Sequence, residues 1–143
     1  MALTQTVPDP VPGDAAGVAP VRETPGARKS RIIGACLLMG MGVLHFAMPK
    51  PFDKIIPSWV PGNPRLWTYV SGVWEASSAA LLMVPRTRRL GAWAAMATIV
   101  AVYPANVQMA LDNPPATAFG MALWARLPLQ FPMIAWAFKH TRR

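Results

Sequence analysis

Few residues of this chain can do chemistry, and they sit in unusual company. Glu75 lies within LWTYVSGVWEASSAALLMV, an apolar run in which it is the only charged residue, and His45 closes another such run in GVLHFAM. A carboxylate so placed costs several kcal/mol to bury unless it is protonated or paired. An imidazole changes its charge near neutral pH and so can pass or hold a proton. Tyr103 and Asn106 in YPANVQMAL, and Arg126 and Gln130 in FGMALWARLPLQFPMIAWAF, interrupt two further apolar runs. The chemistry open to such a set is proton exchange, an ion pair between Glu75 and Arg126, or hydrogen bonding to a small polar molecule or a quinol headgroup. A lone membrane histidine with one glutamate and no thiolate pair falls short of a closed zinc or copper site. Haem needs axial ligands on facing helices, and the nine methionines read as core and lipid-facing filler. No independent catalytic motif is present.

Helices must hold these residues. The apolar residues gather in four blocks, Ile32 to Met48, Leu66 to Val84, Leu90 to Leu111 and Phe119 to Phe138, each close to the roughly 20 residues that cross a bilayer. With 53% hydrophobic and 14% charged residues in 143, the chain reads as all-α, an integral membrane four-helix bundle. The net charge of +8 does not gather on one soluble face, so nucleic acid is not the expected partner. Arg22, Arg28, Lys29, Arg31, Arg86, Arg88, Arg89, Lys139, Arg142 and Arg143 fall on one side of the blocks. Only Lys50, Lys54 and Arg65 fall on the other, which predicts that both termini are cytoplasmic.

Residues 1–28 are rich in proline and glycine and poor in large apolar side chains, which predicts a disordered cytoplasmic tail before a membrane domain over 29–143. No cleavable signal peptide is visible, and the single Cys36 excludes an intramolecular disulfide. Between the first two blocks, Phe52, Ile55, Ile56, Trp59 and Val60 recur at one helical face, while Pro57 splits the segment. A short amphipathic interfacial element is expected there, with Phe52 and Trp59 as anchors or as a lid over the outer mouth of the bundle.

Depth then brings the polar residues together. Glu75 lies about 14 Å from the outer end of its helix and Arg126 about 11 Å, which makes them natural partners. His45 and Asn106 lie about 5 and 8 Å from that side. Pro104 is expected to kink the third helix, and Pro128 and Pro132 to bend or partly unwind the fourth.

The segments GVLHFAMPKPFDKIIPSWVP, SGVWEASSAALLMVPRTRRLGAW and YPANVQMAL resemble the DoxX family of small bacterial four-helix membrane proteins, over about Gly34 to Arg143. The likeness rests on HF followed by proline and phenylalanine, a proline-bounded loop, SG shortly before a helical Glu, a P-x-x-R-x-x-G turn, and PAN. The resemblance implies a multi-pass protein of the bacterial inner membrane, and it picks out His45, Phe46, Pro49, Phe52, Pro57, Pro61, Gly72, Glu75 and Asn106. It further implies an accessory or anchoring subunit of a membrane redox assembly, with quinone as the cofactor in view and membrane or soluble oxidoreductase subunits as partners. The alternative is a stand-alone small-molecule binder or transporter that uses the polar cluster; a homo-oligomer is compatible with either.

Overall fold

The computed structural model describes residues 23–142, and among these it is all-helical. The expectation for residues 1–22 lies outside the described residues. Helix α1 spans Pro25–Ala47, so the expected tail boundary at residue 28 is corrected: helical structure begins before it. Thr24 supplies the start, its hydroxyl accepting from the Ala27 N–H at 3.3 Å, and Pro25 brings a pre-set φ to the first helical position. Pro49 ends α1, because it drives the preceding Met48 out of the helical region, to φ −137° and ψ 63°.

The chain turns at Met48 directly into α2, Pro49–Asp53. Turns carry it through Gly62, whose φ is +96°, to α3, Pro64–Met83. Asn63 caps α3 by accepting from the Arg65 N–H at 2.9 Å. Thus the apolar face expected over Phe52 to Val60 is helical only at its beginning.

Helices α4, Arg88–Ala101, and α5, Tyr103–Asp112, occupy the third block. The expected kink at Pro104 is a break into two helices, since Pro104 cannot donate to the preceding turn. Helix α6, Ala118–Thr141, runs unbroken through Pro128 and Pro132. Of the bending or partial unwinding expected there, the unwinding is corrected.

Packing runs in series: α1 on α3, α3 on α4, α4 on α6, with α2 against α3 and α5 against α6. The buried core is built of small side chains, Ala35, Ala79, Ala92 and Ala95 around Leu82. Polar side chains are buried beside them, among them Thr68, Ser78, Thr98, Asn106 and Gln130. Large apolar side chains instead face outward on the long helices, as with Leu37, Val73, Trp93 and Phe131.

By length and composition two helical stretches can cross a membrane, Pro25–Ala47 and Arg88–Asp112. The other two long helices, α3 with 20 residues and α6 with 24, are long enough, but charged and polar side chains interrupt their apolar runs. Thr68, Ser71, Ser77, Ser78 and Glu75 lower the hydropathy of α3; Arg126, Gln130 and two prolines lower that of α6.

Candidate functional site

The site begins with two glycines. A Cβ on Gly42 would lie 2.8 Å from the Ala76 nitrogen and 2.9 Å from the Gly72 oxygen, so only glycine lets α1 and α3 approach this closely. His45 follows Gly42 by three residues and Glu75 follows Gly72 by three, which carries both to the same crossing. There His45 Nδ1 stands 3.6 Å from Glu75 Oε2. The two side chains are each 9% exposed.

The same nitrogen lies 2.8 Å from the Met41 carbonyl oxygen. A carbonyl only accepts, so Nδ1 carries a hydrogen, and a neutral ring keeps its lone pair on Nε2. Glu75 Oε2 is buried and accepts no hydrogen bond from the described residues. The arrangement is therefore an acid and an imidazole held near each other with proton capacity to spare.

Phe52 covers His45. Its ring stacks on the His45 ring at 3.9 Å and 26°, placed there because α2 folds back directly after α1. Asp53, the next residue, latches α2 to the first turns of α3. Arg65 Nε donates to both carboxylate oxygens, at 3.2 and 2.9 Å, and the Thr68 hydroxyl donates to Oδ1 at 2.7 Å. The Arg65 hydrogen bonds hold the Asp53 carboxyl below its usual range; the Thr68 hydroxyl and the Arg65 charge add to this and partial burial opposes it. Thus the Asp53 and Arg65 ion pair ties down the short helix that carries the aromatic cover of His45.

With that geometry in view, comparison with known families places the core of the chain. The family model described as Domain of unknown function (DUF8561) matches residues 35–141. The chain belongs to this family. The matched span takes in His45, Phe52 and Glu75, and leaves the first helical turns outside it. No curated protein and no solved structure matches the chain.

Two of the remaining sequence-derived candidates pair with each other. Asn106 Nδ2 donates to Gln130 Oε1 at 3.4 Å, and Gln130 Nε2 donates to the Ile99 carbonyl. That carbonyl lies in the last turn of α4, where helical partners run out, so Gln130 caps the break before α5. Tyr103 meets Phe131 edge-on with ring centroids 6.2 Å apart. Glu75 and Arg126 form no ion pair within 4.0 Å, although the Arg126 charge still acts on Glu75. Arg126 is exposed and takes part in none of the ion pairs within 4.0 Å among the described residues. Equal depth placed the two residues at one level, but azimuth around the helices decides contact, and depth carries no information about it.

Sequence reasoning missed a second charged site at the opposite end. Arg31, 2% exposed, donates through Nε to Glu23 Oε1 at 2.9 Å and through Nη2 to Oε2 at 3.0 Å. Its Nη1 donates to the Leu82 and Met83 carbonyls at the end of α3. Arg88 joins the same carboxylate at 3.2 Å. Hydrogen bonding by Arg31 is the main reason that the Glu23 carboxyl is held below its usual range, against an opposing effect of burial. One signal was available: Glu23 is the only acid between Asp14 and Asp53, set among basic residues.

Proposed function

We propose that the protein is a four-helix integral membrane protein of the bacterial inner membrane, with both termini cytoplasmic. In this reading it is an accessory or anchoring subunit of a quinone-linked redox assembly, and His45 and Glu75 form its proton-handling centre. The observation that carries the reading is Glu75 Oε2, buried with no hydrogen bond from the described residues and 3.6 Å from an imidazole nitrogen. An apolar bundle that spent stability on such a group for architecture alone would do better with a leucine.

The membrane setting draws support from large apolar side chains exposed on α1, α3, α4 and α6. A water-soluble monomer seldom shows so much contiguous apolar surface. Buried polar groups and small-residue crossings inside apolar helices are the pattern that suits lipid. The redox setting draws support from the DoxX resemblance of the segments around His45, Glu75 and Asn106.

One observation favours the second reading, a stand-alone small-molecule binder. A cavity of about 410 Å³ lies under the 54–63 loop, walled by Trp59, Trp67, Trp74, Val60, Thr98 and Pro104. Purification from native membranes in mild detergent, with mass spectrometry of bound proteins, lipids and quinones, separates the two. A stoichiometric oxidoreductase partner is the expected result. A lone bundle retaining a discrete small molecule would overturn the subunit reading in favour of the binder.

A further inference from the structure

A closed four-helix bundle needs four helix contacts, and three are tight: α1 with α3, α3 with α4, and α4 with α6. The fourth, α1 with α6, is nearly absent along the backbones. The two are tied by Trp136, whose ring fills the space over Gly34 and whose indole donates to the Ser30 hydroxyl at 2.9 Å. Beyond this tie the gap is a groove of about 690 Å³. Leu37 and Met41 wall it from α1, Leu129 and Met133 from α6, and Ala95 and Ile99 form the floor. The lining has no charged side chain, and its one hydroxyl, Ser30, is already bonded to Trp136. Such a slot accepts hydrocarbon, and its size is that of an ordinary ligand site.

The charge at its tied end says what the hydrocarbon belongs to. Lys29, Ile33, Leu37 and Met41 form one i, i+4 row of α1, so Lys29 ends that wall. Lys139 stands three residues past Trp136 on α6. Both lysines are exposed, and neither forms an ion pair with a described residue, whereas nearby Arg31 and Arg88 are committed to Glu23. A hydrocarbon slot with an exposed, uncommitted lysine within one helical turn of its tied end on each wall matches one amphiphile. We propose that the groove binds an anionic phospholipid, with an acyl chain between α1 and α6 and its phosphate held by Lys29 and Lys139. Lysine stems can lie along the apolar wall while their charges reach the headgroup level. The inference rests on the membrane reading given above and is independent of any redox role.

The test is native mass spectrometry of the full chain in mild detergent, offered equal amounts of phosphatidylglycerol and phosphatidylcholine of the same chain length. Wild type is expected to retain phosphatidylglycerol preferentially. The preference should fall about fivefold per lysine in Lys29→Gln and Lys139→Gln and further in the double variant. Leu37→Trp with Met133→Trp fills the slot from exposed wall positions and should lose retention while helical content and melting temperature hold. Equal retention of both lipids by wild type, or an unchanged preference in the double lysine variant, would overturn the proposal. So would displacement of the phospholipid by equimolar palmitate, which would make a free fatty acid the ligand. Carbonate washing of native membranes separates the levels of failure. A chain that washes off sinks the membrane reading and this site together; a chain that stays but holds no anionic lipid sinks the site alone.

Discussion

The two ends of the bundle each bury a carboxylate beside basic groups, and they treat it differently. Around Glu23 both oxygens are paired, and Arg31 spends Nε, Nη1 and Nη2 on Glu23 and on the last carbonyls of α3. Around Glu75 an imidazole nitrogen stands at 3.6 Å with its hydrogen nearer a backbone carbonyl, and one carboxylate oxygen has no donor among the described residues. A charge network with every group satisfied fixes which elements touch. A carboxyl left partly unsatisfied beside a titratable ring retains the freedom to change protonation. In the reading proposed above, the same residue types serve architecture at one end and chemistry at the other.

The largest effect should come from breaking the satisfied network. Arg31→Met leaves Glu23 with only Arg88 and leaves the end of α3 uncapped. Loss of one partner from a buried pair costs about 3–5 kcal/mol, to be read from denaturant unfolding in detergent. Near-wild-type stability would erase the contrast between the ends. Next comes the crossing that positions the chemistry. Gly42→Val forces atoms into α3 backbone and should cost about 1–3 kcal/mol. Ser30→Ala, at the far side of α1, should leave the His45 and Glu75 crossing intact, and loss of that crossing in both variants would show that no local packing sets it.

These contrasts also mark what a sequence can show. The helical blocks and the burial of Glu75 are legible because each depends on local chemistry or on burial along a single helix. The partner of Glu75 is not, because it depends on how α1 and α3 rotate about their glycine crossing. His45, Asn106 and Gln130 were legible as buried polar residues, yet their division into a proton pair and a helix cap was not. That division follows from the break between α4 and α5, which exposes the Ile99 carbonyl to Gln130. Arg31 was hidden for the opposite reason. In a run of basic residues before an apolar block it reads as a topology signal, and only the fold reveals that it points inward.

Glu75→Gln tests the chemical end directly. The variant keeps the shape, removes the charge and can donate to a neighbour, so stability should change by no more than about 1 kcal/mol. In the proposed proton-handling role, any proton-coupled activity should nevertheless be lost. A destabilisation as large as that of Arg31→Met would mean that Glu75 is a structural ion, and the two ends would be alike after all.

The smallest effect, and the most selective, lies at the latch over His45. Asp53 is held below its usual range, chiefly by Arg65, so at acid pH the unfolded chain binds this proton more readily than the folded one. The latch therefore contributes fully above the ordinary carboxyl range and is lost as pH falls through the lower folded value, below about pH 4. Glu23 carries the same sign for the same reason, so the acid loss of wild type contains both ends. Arg65→Gln should flatten only the Asp53 share and Arg31→Met only the Glu23 share, leaving two separable acid limbs in melting temperature against pH. Releasing the latch also frees Phe52, so His45 in Arg65→Gln should react faster with diethyl pyrocarbonate, as followed by peptide mass spectrometry, while His140 should not. Equal acid limbs and an unchanged His45 rate would mean that Phe52 stays over the ring without Asp53, and that the cover is set by the turn at Met48 alone.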